Sequence, residues 1–264
     1  MERPLLQIVG IRKAFGGLLA VNDVDFWVPE GQIASLIGPN GAGKTTVFNL
    51  ITGIESPDAG KIMFAGQDIT GSPPHVITRA GIARTFQTLR LFPNLTCLEN
   101  VMAGQHVRTK AGVFSSVFHT SRQQEEEWQI YEAARCCLDK VGLWHLRAEL
   151  AKNLSYGDQR LLEIARALAT EPSLLILDEP ASGLNNVETA RLMGLIRQIR
   201  EEGITILLIE HDMDVVMGIS EWITVLDNGR KIGQGTPEDI QQNEEVIVAY
   251  LGKEEEDFSW NSCN

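Results

Sequence analysis

The stretch Gly38-Pro39-Asn40-Gly41-Ala42-Gly43-Lys44-Thr45 decides how the rest of the chain is read. It follows a short apolar run at residues 32–37 and leads into a helical pattern through Leu50 and Ile51, so strand, glycine-rich loop and helix stand in order. The spacing GxxxxGK[ST] is that of a loop whose glycines turn successive backbone N–H groups onto phosphate oxygens, while the following helix offers its positive end to the same anion. Lys44 then reaches the β- and γ-phosphates, Thr45 gives its hydroxyl to Mg2+, and Thr46 adds a nucleotide contact. The bland alternative is a plain glycine-rich turn; the strand before it and the helix after it argue against that.

A second element has the same character. Residues 174–177 form an unbroken apolar run, the mark of a parallel strand buried on both faces, and Asp178 and Glu179 close it. Carboxylates at the carboxyl end of such a strand face the crevice where phosphate loops lie. Asp178 is placed to hold Mg2+ through water and Glu179 to polarise the attacking water as general base.

Outward from these two elements, residues 24–28 alternate as a strand and Pro29-Glu30-Gly31 supply a turn. Residues 61–64 and 82–87 read as further strands. Between about 88 and 168 helix signals dominate. Thr96 with Glu99 and Ser121 with Gln124 have capping-box spacing, and Trp128, Tyr131, Ala134, Leu138 and Val141 fall on one helical face. A helix over 187–201 ends at Gly203, and residues 204–209 form the next buried strand. Residues 222–226, the turn Asp227-Asn228-Gly229 and the segment from Lys231 read as a hairpin, and Thr236-Pro237 with Asp239 open a short helix.

Composition bounds what such a chain does. With 264 residues, 44% hydrophobic and 22% charged, it has ordinary globular usage and enough length to bury a core. No apolar stretch approaches the roughly 20 residues that cross a bilayer. The residues after Met1 lack a secretory pattern, so cytoplasmic residence is the expectation. A net charge of −12 opposes nucleic-acid binding, which relies on cations neutralising phosphates. Cys97, Cys136, Cys137 and Cys263 lack metal-site spacing and read as reduced thiols.

Phosphate loop and acidic strand end together indicate an NTPase without saying which. The segment Leu154-Ser155-Tyr156-Gly157-Asp158-Gln159-Arg160, running into Leu161-Leu162-Glu163-Ile164-Ala165-Arg166-Ala167-Leu168, resembles the signature motif and helix of the ABC ATPase family. Ser155 caps a helix whose free N–H groups face an anion. The resemblance implies that this anion is the γ-phosphate of ATP held by a partner subunit, contacted by Ser155, Tyr156, Gly157, Asp158 and Asn185. It further implies Phe15 as the aromatic that stacks on adenine, Gln87 as the glutamine that senses γ-phosphate and Mg2+, and His211 as the switch histidine beside the γ-phosphate, with Lys44 and Glu179 in the catalytic set.

Tyr156, Asp158, Leu161 and Asn185 depart from the general family pattern. Tyr156 and Gly183-Leu184-Asn185 resemble the ATP-binding subunits of branched-chain amino-acid importers, as do residues 82–93 and the helical stretch at 105–135; Asp158 and Leu161 stay unusual even there. The expectation is an α/β fold, a P-loop NTPase core of the ABC type with an antiparallel β subdomain and a helical subdomain at about 88–168. One ATPase domain spans residues 1–252, and a flexible acidic tail spans 253–264. The resemblance implies a motor on the inner face of the plasma membrane, dimeric with itself or a related subunit. Two transmembrane permease subunits are its partners and a periplasmic or extracellular substrate-binding protein acts indirectly. The alternatives are the ATPase of a urea or amide importer, a soluble ABC ATPase outside transport, and a nucleotide-binding regulator without turnover.

Overall fold

A computed structural model describes residues 3–105 and 121–251. In chain order the elements are β1 (Pro4–Phe15), β2 (Leu18–Pro29), β3 (Ile33–Ile37), α1 (Lys44–Ile51), β4 (Ala59–Phe64), β5 (Gln67–Asp68), α2 (Pro74–Ala80), β6 (Ile82–Arg84), α3 (Cys97–Gln105) and α4 (Ser121–Lys140). They continue with α5 (Tyr156–Leu168), β7 (Leu174–Asp178), α6 (Asn186–Glu201), β8 (Thr205–Ile209), α7 (Met213–Ile219), β9 (Trp222–Asp227), β10 (Arg230–Gly235), α8 (Pro237–Gln241) and α9 (Glu244–Leu251). The chain divides into two compact units, one of residues 1–72 with 207–264 and the other of residues 73–206, the boundary running through β8. Among the described residues no helix is long and apolar enough to cross a membrane. The acidic tail and Cys263 lie outside the described residues, as do the whole stretch between α3 and α4 and the side chains of Ser121 and Gln124.

In the first unit β2, β1, β4 and β5 form an antiparallel sheet in that order. This is the expected antiparallel subdomain, but its central strand β1 did not show in the sequence. The reason is local. Pairing with β2 shifts register between Ile8 and Ile11 and again between Ile11 and Lys13, so the two-residue alternation is broken. Gly10 lies at φ 57 inside that irregularity and donates its N–H to Asp25 Oδ1 at 2.7 Å. The same unit holds β3, buried at all five residues and paired in parallel with β9, whose other neighbour is β10. Asn228 at φ 46 and Gly229 at φ 73 make the tight turn between β9 and β10, as the Asn-Gly signal predicts. Ile37 packs with Val216, Ile223, Val225, Ile240 and Val246, so β3 enters the phosphate loop from a fixed apolar anchor.

In the second unit β6 pairs in parallel with β7, Ile82 beside Leu174 and Arg84 beside Ile176. The strand expected at 82–87 ends at Arg84; Thr85 still donates to Ile176 O at 2.9 Å, and residues 86–87 leave the sheet as a loop. The capping box at α3 is formed: Thr96 N–H donates to Glu99 Oε2 at 2.8 Å, and Glu99 N–H to Thr96 Oγ1 at 3.2 Å. The expected apolar face of α4 is only half buried. Ala134, Leu138 and Val141 are enclosed, whereas Trp128 is 64% exposed and Tyr131 meets the Trp144 ring edge-on at 6.2 Å. Asn185 caps α6 with a full capping box to Glu188, and Gly203 at φ 92 follows its end.

Candidate active site

The residues singled out in the sequence fall into two sets, one in each unit. The first unit carries Phe15, the loop at 38–45, Thr46 and His211; the second carries Gln87, residues 155–158, Asp178, Glu179 and Asn185.

The phosphate loop needs its glycines for two separate reasons. Gly38 sits at φ 152, and a Cβ there would lie 2.1 Å from the Leu226 carbonyl oxygen; at Gly43, φ 100, it would lie 2.6 Å from the Ala20 oxygen. Backbone crowds both positions, so side chains are excluded by space as well as by conformation. The loop is closed by hydrogen bonds from Ala42 N to Pro39 O at 3.1 Å and from Gly229 N to Ala42 O at 3.1 Å. Lys44 is buried, and its ammonium donates to Gly38 O at 2.6 Å and Pro39 O at 3.1 Å, which curls it over the loop that its charge serves. Asn40, Gly41 and Thr45 are exposed at the loop rim and Thr46 is half-buried. Phe15, at the end of β1, is 43% exposed, and the Lys13 ammonium lies over its ring 5.2 Å from the centre. His211 is exposed between β8 and the Asp212 cap of α7.

The second set is joined by direct contacts. Asp178 ends β7, and the Arg84 guanidinium donates to its Oδ2 at 2.7 Å, with both side chains nearly enclosed. Burial pulls the Arg84 pKa down and Asp178 opposes that shift. Glu179 has φ 49, the left-handed region that non-glycine residues seldom occupy. Strain of this kind is held only where surrounding structure over-determines it. The Gln87 side-chain amide donates to Glu179 Oε2 at 2.8 Å, which brings the proposed sensor and base together.

Ser155 caps α5 as expected, accepting from Asp158 N at 3.1 Å, but Asp158 answers differently from a capping box. Its Oδ2 accepts from the Ser155 hydroxyl at 2.8 Å, and its Oδ1 lies 3.5 Å from the Arg191 guanidinium of α6. The packing also accounts for Tyr156. A Cβ on Gly183, φ 80, would lie 3.1 Å from the Tyr156 ring, and one on Gly157 would lie 2.7 Å from Glu188 Oε1. Tyr156, one of the departures from the general pattern, is thus accommodated by a glycine at position 183. Asn185 uses its side-chain oxygen to accept from Val187 N and Glu188 N, both at 3.0 Å.

Sequence reasoning missed Arg84, Arg160, Glu163 and Arg191. Arg160 donates to Phe86 O at 2.7 Å and Gln87 O at 2.5 Å, and to the Tyr156 hydroxyl at 3.0 Å. Glu163, also buried, accepts from Arg90 N at 3.2 Å; burial pushes its pKa up, against the Arg90 amide and the charges of Arg160 and Arg166. The available signal was a charged residue inside an apolar run, at Arg84 after Ile82-Ala83 and at Glu163 between Leu162 and Ile164, because a buried charge requires a partner.

The ABC transporter family model matches residues 21–182, and the model for branched-chain amino acid ATP-binding cassette transporters matches residues 230–256. The chain is 47% identical over 254 residues to the high-affinity branched-chain amino acid transport ATP-binding protein BraF of Pseudomonas aeruginosa, covering 96% of this chain and all of that one. It is 48% identical over the same length and coverage to LivG of Escherichia coli, which bears the same description. A crystal structure of the ADP conformation of an ATP-binding cassette of an ABC transporter superposes with a TM-score of 0.82 at 32% identity, over 95% of this chain and 100% of that one. A dimeric bacterial ABC transporter cassette superposes at 0.74 with 25% identity, over 88% and 98%. The chain belongs to the ABC transporter ATP-binding family and, within it, to the cassettes of branched-chain amino acid transport.

Proposed function

We propose that this ABC ATPase is the motor subunit of an importer for branched-chain amino acids, closing with a second ATPase subunit around Mg-ATP. The observation that carries the substrate class is identity of 47–48% along nearly the whole chain to cassettes named for that transport. Residues 1–252 act as one ATPase domain, with residues 88–168 as its helical part.

In this reading the loop N–H groups and Lys44 bind the β- and γ-phosphates, exchanging the lysine's two carbonyl partners for phosphate oxygens. Phe15 stacks on adenine. Thr45, Asp178 and Gln87 offer hydroxyl, carboxylate and amide oxygens, a hard donor set that suits Mg2+. When bound, that ion neutralises charge on the phosphates. Glu179 holds and orients the attacking water, Gln87 sets the position of Glu179, and His211 stabilises the γ-phosphate region. Ser155 and the N-terminal turn of α5 face the γ-phosphate of ATP bound by the partner, with Tyr156, Gly157, Asp158 and Asn185 around it.

The membrane subunits are two permeases, which place the motor on the inner face of the plasma membrane. Their seat is a groove of about 310 Å³ in the second unit, lined by Ala83, Arg84, Phe92, Gly104, Glu163 and Arg166. It adjoins the segment leading to Gln87, so a push there reaches Glu179 directly. A substrate-binding protein acts through the permeases. Net charge of −12 argues against nucleic acid as a partner.

The test is reconstitution with the native membrane subunits. ATPase activity is expected to rise with a leucine-loaded binding protein above that with the empty one. Stimulation by urea with none by leucine, isoleucine or valine would replace the substrate class and keep the motor; failure of any permease to associate would remove the transport role.

A further inference from the structure

Arg84 ends β6 and Asp178 ends β7, and the parallel pairing of these strands brings the guanidinium Nη2 to 2.7 Å from Asp178 Oδ2. The side chains are 5% and 7% exposed. Stability of the fold alone does not call for such a pair, since apolar residues of similar volume commonly serve a core as well or better. Its effect falls on the carboxylate. Arginine stays charged at every accessible pH and its planar fork fixes the direction of its hydrogen bonds. The other charges around it do not relieve Asp178 of this role. Arg90, which lies 3.8 Å over the Phe86 ring while Arg84 lies 4.9 Å from the same ring, repels Arg84. Glu163, on the same groove wall, is already engaged by Arg160 at 3.4 Å and Arg166 at 4.0 Å.

We propose that Arg84 is a positioning residue that serves Asp178 as an internal counter-cation, fixing its carboxylate and competing with the divalent cation for its charge, and so setting how tightly that cation is held. The proposal rests on the reading of Asp178 as the metal acid. Linkage gives it a direction. A partner that stabilises the metal-free carboxylate more than the metal-bound one weakens metal binding, and removing it strengthens that binding. Arg84 also lines the groove described above, so a permease segment seated there abuts the guanidinium that restrains Asp178. Docking and cation affinity are then reciprocally coupled.

The experiment titrates Mn2+ into the full chain with the β,γ-imido analogue of ATP, reading free Mn2+ by electron paramagnetic resonance, alongside thermal melting of the ligand-free chain. Arg84→Gln is expected to tighten Mn2+ binding by about fivefold or more, and to lower the melting temperature without metal. Arg84→Lys, which keeps the charge but loses the planar fork, is expected to fall between Arg84→Gln and the natural chain. Unchanged or weaker Mn2+ binding in Arg84→Gln, with binding abolished in Asp178→Asn, overturns the proposal and leaves Asp178 as the metal acid. Unchanged binding in Asp178→Asn overturns both. Should Arg84→Gln fail to fold, the double variant with Asp178→Asn decides, because it removes the stranded charge. It is expected to recover a folded chain with a cooperative melt, and a double variant that also fails to fold overturns the proposal.

Discussion

Replacing Gly183 by alanine asks whether the signature helix and the loop before α6 were fitted to each other. Two costs arise. At φ 80 an alanine occupies the left-handed region, at roughly 1–2 kcal/mol. Its Cβ also meets the Tyr156 ring at 3.1 Å, and such overpacking costs about 1–3 kcal/mol where the neighbour cannot yield. The ring is poorly free to yield, since its hydroxyl accepts from Arg160 Nη2 at 3.0 Å and the guanidinium carbon lies 5.5 Å from its centroid. Gly183→Ala in the natural chain is therefore expected to cost about 2–5 kcal/mol. In a Tyr156→Ala background only the backbone term remains, about 1–2 kcal/mol. The difference, about 1–3 kcal/mol, is the coupling a double-mutant cycle measures. Urea unfolding of the nucleotide-free chain supplies the four stabilities, and melting should shift by about 2–4 °C per kcal/mol in a chain of this size. Equal cost of Gly183→Ala in both backgrounds would refute the claim that Tyr156 is accommodated by Gly183.

Glu179→Gln is expected to bind ATP, lose turnover and accumulate as an ATP-bound dimer on size-exclusion chromatography; a variant that stays monomeric at saturating Mg-ATP contradicts the composite site. Asp158→Gln keeps a polar group at the start of α5 but removes the charge facing Arg191 at 3.5 Å, so stability should fall by about 0.3–1 kcal/mol. Because Arg191 already offsets that charge, the ATP dependence of dimerisation should not change; stronger ATP-driven dimerisation would show that repulsion of the partner's γ-phosphate dominates. Burial raises the thiols of Cys97 and Cys137 to about 11. At pH 8 their alkylation by iodoacetamide should run about two hundredfold slower in the native chain than in the denatured one, where thiols titrate at about 8.5. The native rate should climb toward pH 11, and equal native and denatured labelling at pH 8 would contradict the burial.

The parts of the fold that were legible in the sequence depend on neighbours along the chain. Glycine-rich loop, unbroken strand and Asn-Gly turn each carry their constraint within a few residues, so the elements at 38–45, 174–178 and 222–235 could be read directly. β1 was not, because its bulges destroy the alternation that marks a strand, and α7 and α9 are short helices whose packing onto β3 and β9 supplies what periodicity does not. Residue types at the site were legible, and their contacts were not. Nothing within a few residues of Arg84 announces Asp178, which is 94 positions away, and nothing near Gln87 announces Glu179, which is 92 away. Tyr156 reads as an isolated departure until its packing against Gly183 is seen.

The pairs Arg84–Asp178 and Gln87–Glu179 have a mechanical consequence. Two adjacent acids are each gripped by a residue from one short segment, and Arg160 of the signature helix clamps the carbonyls of Phe86 and Gln87 within it. Asp178 and Glu179, the proposed metal acid and base, and helix α5 are thereby tied to the same short segment. A displacement of residues 84–87 cannot adjust one without moving the others, so substitutions along this segment should alter cation dependence and turnover together. Variants that separate the two properties should instead come from the far ends of the contacts, where a side chain grips only one of them.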